Sequence, residues 1–155
     1  MRASVPEEAD LVAPTGRVHV IGVRAGRILT EHHVMAHDAP GVARLTVLER
    51  HGRGSKPANG YVAGFGEKLR GAIASSVGHD SHNLIVVGDR PGDMRAALAA
   101  LIESGGGFVV VQDGAVKARL ALPVGGLMSR ESPAHVEAAL RELHRASRGL
   151  SLIHI

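Results

Sequence analysis

The spacing of apolar and polar residues changes repeatedly along the chain, and each change marks an element. Residues 1–16 have no regular period, and Pro6, Pro14 and Gly16 punctuate them, so they read as a linker or arm. Val18, Val20 and Val23 then begin an alternation that predicts a strand over 18–23. "RAG" turns the chain, and "RILTEHHVMA" predicts a second strand over 26–33. The β-branched, half-alternating "VARLTVLER" predicts a third over 43–49. Residues 51–66 are rich in glycine and contain Lys56-Pro57 and Asn59-Gly60, which reads as loop or irregular turn.

The second half is more regular. Small residues over 72–77 and the continuous apolar run over 84–88 predict two strands, the latter covered on both faces. Met94, Ala97, Leu98, Leu101 and Ile102 recur at helical spacing, so 91–104 is a helix with Pro91 in its first turn and Gly105–Gly107 beyond its end. Strands over 107–112 and 115–121 flank Asp113-Gly114, a two-residue hairpin signal. Ser132-Pro133 opens a last helix over 133–147. The order predicts an α+β domain: one mixed sheet with packed helices and a core of Ile73, Leu84, Val86, Leu98, Leu101, Val109, Val111, Leu120 and Leu140. In "LPVGGLMS", Leu127 and Met128 are expected to pack on that core.

Composition narrows the function. With 155 residues the chain holds one domain. Without cysteine it has no disulfide, thiolate metal site or thiol nucleophile. The formal net charge of +3 comes from arginines scattered among acids, with only Lys56, Lys68 and Lys117 besides, and the aromatics are Tyr61, Phe65 and Phe108. No basic block or stacking platform suits nucleic acid. No apolar run is long enough to cross a bilayer, and Met1–Asp10 has no apolar leader core, so the expectation is a cytoplasmic protein with no membrane partner.

The candidate chemistry sits in "SVGHDSHN", Ser76–Asn83, just before the apolar "LIVVG". Histidine titrates near neutrality, and a neighbouring carboxylate can fix its tautomer. A serine, a histidine and an aspartate adjacent in sequence do not stack in line as a hydrolytic triad. His79 and His82 supply two of the three or four ligands a metal needs, and no helix places another nearby. Two readings stand: a polar loop bonded to its own backbone, or a functional loop held rigid by the strand after it. "LERHG", Leu48–Gly52, reads as a surface turn with a local ion pair, or as a second polar cluster near the same end. The glycines of "GFGEKLRG" read as close-packing positions rather than an anion nest.

Taken together, "VLERHG", "GYVAGFG", "RGAIASSVGHDSHNLIVVG", "ALIESGGGFVVVQDG" and "LPVGGLMS" occur in an order that closely resembles the C-terminal domain of adenine deaminases, in the amidohydrolase superfamily. The resemblance runs over 17–148, with 1–16 as the arm and 149–155, "GLSLIHI", as a tail outside the family pattern. Gly78 stands where alanine is usual, and "GFGEKLRGA" departs slightly from the usual block. The resemblance implies a hydrolase of purine catabolism that converts adenine and water to hypoxanthine and ammonia. It further implies a TIM-type barrel holding manganese or iron, whose bound hydroxide attacks adenine C6, in a homo-oligomeric enzyme. No barrel-type His-x-His occurs here, and His32, His33 and His37 read as surface-strand residues. The expected chain is therefore a fragment that lacks the barrel, has that barrel as its partner, binds no metal and is inactive alone. In it the resemblance suggests His79, Asp80 and His82 as catalytic support and Ser81 and Asn83 as substrate contacts. The alternative is a stand-alone, non-catalytic domain that binds a purine or a protein.

Overall fold

The computed structural model describes residues 1–54 and 56–150. Its elements are β1 (Arg17–Gly22), β2 (Glu31–Ala36), β3 (Val42–Leu48), β4 (Ala58–Ala63), β5 (Ala72–Ser75), β6 (Leu84–Gly88), α1 (Pro91–Glu103), β7 (Gly107–Gln112), β8 (Ala115–Ala121) and α2 (Pro133–Leu150). The strands form one open eight-stranded sheet, ordered β2-β1-β4-β3-β6-β5-β7-β8. Every neighbouring pair is antiparallel except β1 with β4. This is the α+β mixed sheet with packed helices that the residue pattern predicts.

Strand periodicity sorts the core into two faces. Ala72, Ala74, Leu84, Val86, Val109 and Val111 point to one side and pack under Met94, Ala97, Leu98 and Leu101 of α1. Val87, Val110 and Leu120 point to the other and pack with Leu143 and Leu150 of α2. The run Leu84–Gly88 is thus covered on both faces, as its unbroken apolar character requires. Asp113 and Gly114 both have positive φ, 52° and 75°, and close the β7–β8 hairpin as Asp-Gly predicts. Ser132 caps α2, its Oγ accepting from His135 N–H at 3.3 Å.

Several expectations change. The 51–66 region is not all loop, because Ala58–Ala63 is β4 and pairs with both β1 and β3. Asn59-Gly60 reads locally as a turn, but tertiary partners override it. Thr46 Oγ1 donates to Asn59 Oδ1 at 2.6 Å, and Asn59 Nδ2 donates to Asp10 O at 2.7 Å. The second strand is Glu31–Ala36 rather than 26–33, and Ile28 and Leu29 lie in the exposed connection before it. Leu140 is on the rim and not in the core: α2 meets the sheet through Val136, Ala139, Leu143, Ala146 and Leu150, and Leu140 falls beside that stripe. Ile73 is only partly buried, although it packs against the α2-side cluster. Met128 is exposed.

The arm of residues 1–16 is fastened to the domain. Leu11 and Ala13 are buried, and Tyr61 Oη donates to Pro14 O at 2.7 Å. At the other end α2 runs through Gly149 and Leu150, and Leu150 is buried. The expectation that Ser151–Ile155 makes few contacts lies outside the described residues.

Candidate functional site

Antiparallel pairing places Leu48, the last residue of β3, opposite Leu84, the first of β6. The residues just beyond them, Glu49–Arg50 and His82–Asn83, therefore emerge at one end of the sheet. β5 leaves its pairing with β7 at the same end, where Ser76 N–H donates to Gly107 O at 3.0 Å. Four motifs far apart in sequence meet there.

Ser76 is buried, and its hydroxyl donates to Gly126 O at 2.6 Å while accepting from Gly107 N–H at 2.7 Å. The glycines are steric necessities at this junction. A Cβ on Gly106 would lie 2.5 Å from Gly126 Cα and 2.7 Å from Ser76 Oγ. Arg50 supplies the second tie. Its Nη1 donates to His82 O at 3.1 Å and its Nη2 donates to Gly125 O. Its own carbonyl accepts from Arg2 N–H at 3.1 Å, which brings in the arm.

The ion pair expected within "LERHG" is not formed. Glu49 instead accepts from the backbone N–H groups of His51 and Arg53, closing its own turn. Partial desolvation pushes the Glu49 carboxyl up. The hydrogen bonds from Arg53 and His51, with the His51 charge and the Gly52 N–H, outweigh this and hold it below the usual carboxylate range.

The loop itself is strained. Asp80 and His82 have φ of 62° and 48°, a left-handed conformation uncommon outside glycine. His79 and Asp80 are highly exposed, and His79 Nδ1 lies 3.0 Å from Asp80 Oδ1. His82 is half-buried, with Nδ1 accepting from Gly78 N–H at 3.4 Å. Ser81 is exposed. Asn83 Oδ1 is buried and has no hydrogen-bond partner among the described residues. Such an acceptor costs about 1–3 kcal/mol. The two histidines are held differently, His79 by an exposed carboxylate and His82 by a backbone N–H. In both contacts it is Nδ1 that is engaged, so Nε2 is the ring nitrogen that each histidine leaves open.

Among the described residues, no three His, Cys, Asp or Glu side chains gather in a way that could hold a metal. His79 and His82 have their Nδ1 atoms committed to Asp80 and Gly78. The donor set of this loop does not fit manganese or iron. His32 and His33 lie on β2, the strand at one edge of the sheet, and His37 follows it. His32 Nε2 is 2.7 Å from His19 Nδ1, and His33 faces Glu31 at 3.3 Å. The glycines of the 64–71 segment serve close packing: a Cβ would lie 2.2 Å from Val23 O at Gly64 and 2.3 Å from Val111 O at Gly71.

Residues 24–154 match the family described as the adenine deaminase C-terminal domain. The chain belongs to that family. An adenine deaminase of Methylobacterium sp. (strain 4-46) is 48% identical over 155 aligned residues, which take in 94% of this chain and 27% of that protein. Adenine deaminase 1 of Rhizobium etli is 46% identical over 145, or 87% of this chain and 26% of its own length. Adenine deaminase 1 of Rhizobium meliloti is 44% identical over 159, or 95% and 28%. The chain therefore spans about a quarter of the length of the curated relatives it matches. No described helix of this adenine deaminase C-terminal domain is long and apolar enough to cross a membrane.

The described residues place His79 beside Asp80 and His82 beside Gly78, but they bring neither histidine to Ser81 as a triad would require. Sequence reasoning placed Arg50 and Ser76 within candidate stretches but did not find their long-range hydrogen bonds. An arginine beside a glutamate reads as a local pair, and no local signal shows that Arg50 reaches segments 32 and 75 residues away.

Proposed function

We propose that this domain serves an adenine deaminase, and that the sheet end carrying Arg50, Ser76 and the His79–Asn83 loop helps to complete its purine site. The reaction adds the oxygen of water at C6 of adenine and releases N6 as ammonia, leaving hypoxanthine. In this reading manganese or iron would be held by a barrel domain of the complete enzyme and would supply the activated water. The domain's own residues handle protons and hold the ring. His79, oriented by Asp80, accepts a proton at Nε2 and delivers one to the departing nitrogen. His82 donates through Nε2–H to a purine ring nitrogen. Ser81 and Asn83 meet the polar edge of the purine, and the unfilled acceptor of Asn83 supports that role.

The observation that carries the proposal is the convergence of four motifs on one strained loop, tied by Arg50 and Ser76. Strain and unsatisfied groups persist where function maintains them. The test compares two preparations supplied with manganese or iron, following adenine by its ultraviolet absorbance. A polypeptide joining this domain to a family barrel should convert adenine in proportion to protein, and this chain alone should not. Sustained, chelator-sensitive conversion by the chain alone would overturn the proposal, as would an inactive but folded joined polypeptide.

A further inference from the structure

We infer that Arg50 is a positioning residue, which sets the direction of the His82 ring by holding the His82 carbonyl. This rests on the reading of the His79–Asn83 loop as part of the purine site. Three observations lead to it. First, the Arg50 guanidinium spans two carbonyls from separate segments, His82 O through Nη1 and Gly125 O through Nη2. A planar fork with fixed arms can do this, and a single ammonium cannot. Second, the space is built for that fork. A Cβ on Gly126 would lie 2.9 Å from Arg50 Nη2 and 3.1 Å from Nη1, so only glycine lets the guanidinium lie there. Third, the residue it holds is in the left-handed region, φ 48°, which a non-glycine residue leaves when nothing opposes it.

The consequence is directional. The Arg50 contact fixes the peptide after His82, and the Gly78 N–H fixes Nδ1 of its ring. Together they aim Nε2–H outward. Without Arg50, His82 relaxes toward the right-handed region, its ring turns, and Gly78 N–H loses its acceptor. Arg50 touches neither substrate nor reacting atoms in this account and acts through His82. Its backbone is held as well, by Arg2 N–H on its carbonyl, so its side chain starts from a fixed point.

The experiment has two arms with Arg50→Ala, Arg50→Lys and, as a control on the same turn, Arg53→Ala. In this chain, NMR reads amide exchange at Gly78 and the ring nitrogen shifts of His82. In the joined polypeptide, kinetics reads adenine turnover. Arg50→Ala should speed exchange at Gly78 at least tenfold, collapse the single His82 tautomer into a mixture, and lower kcat roughly ten- to hundredfold. KM should stay within about threefold. Arg50→Lys, which keeps the charge and reaches one carbonyl, should fold and fall between Ala and the parent on all three readouts. Arg53→Ala should leave them unchanged. An unchanged His82 tautomer and Gly78 exchange in Arg50→Lys, or in a folded Arg50→Ala, would overturn the inference. A loosened loop with undiminished turnover would instead overturn the reading of the loop as part of the purine site.

Discussion

Leu150 closes the last turn of α2, and replacing it with alanine measures how firmly that helix end belongs to the domain. The side chain is 2% exposed and lies in the cluster formed with Val87, Val110, Leu120 and Leu143. It also packs over Gly71, where an added Cβ would come within 3.0 Å of Leu150 Cδ2. Buried Leu→Ala changes cost about 2–5 kcal/mol, depending on how far the site collapses. A helix end relaxes more readily than a helix centre, and the backbone bond from Arg70 N–H to Leu150 O does not depend on the side chain. The lower half of the range applies, about 2–3 kcal/mol. In a domain of this size that lowers Tm by roughly 4–12 °C. Thermal unfolding followed by circular dichroism, with a urea titration alongside, reads it directly. Leu140→Ala is the internal control, since Leu140 is on the rim at 36% exposure and should cost under about 1 kcal/mol. A Leu150→Ala shift of less than about 2 °C, or one no larger than that of Leu140→Ala, would refute the packing argument.

Ser76→Ala removes the one hydroxyl that serves both Gly126 O and Gly107 N–H, leaving two buried backbone groups without that partner. A loss of about 2–4 kcal/mol is expected from urea unfolding, and Ser76→Thr should not restore the parent value because the added methyl enters the junction with Gly106 and Gly126. Glu49 gives a pH signature. Its carboxyl is held below its ordinary value, so its contribution is fully present above the unfolded pKa and is lost as pH falls through the lower folded value. The amide resonances of His51 and Arg53, which donate to it, should move together as pH falls, and at a lower pH than an unstructured glutamate titrates. Movement centred at or above the pH at which an unstructured glutamate titrates, or absent in acid, would show that the Glu49 turn is not what fixes them.

Much of the fold was legible because apolar spacing and turn chemistry agree. Leu84–Gly88 needed cover on both faces and has it, and Asp113-Gly114 could hardly serve anywhere but a hairpin. β4 was not legible, because Asn59-Gly60 is a turn signal whose side chain is satisfied instead by Thr46 and Asp10. Leu140 misled because it stands three positions before Leu143, and leucines so spaced fit either of two neighbouring helix stripes, between which only the sheet selects. At the site, the chemistry-bearing loop was visible as a cluster of titratable residues. Its support was not, because Arg50 and Ser76 act on backbone carbonyls and amides, which carry no residue-specific signal in the chain.

The central claim is that the His79–Asn83 loop works for the reaction and not only for the fold. It is tested most directly by measuring adenine turnover and thermal unfolding on the same preparations of the joined polypeptide carrying His82→Ala or Asp80→Ala. Both side chains can be cut back with little loss of packing, since Asp80 is largely exposed and His82 half-buried. The account predicts that kcat falls roughly a hundred- to ten-thousandfold, the range for losing a positioned general acid or base, while Tm moves by less than about 4 °C. Parent-like turnover in both variants would contradict it and leave the loop a structural brace.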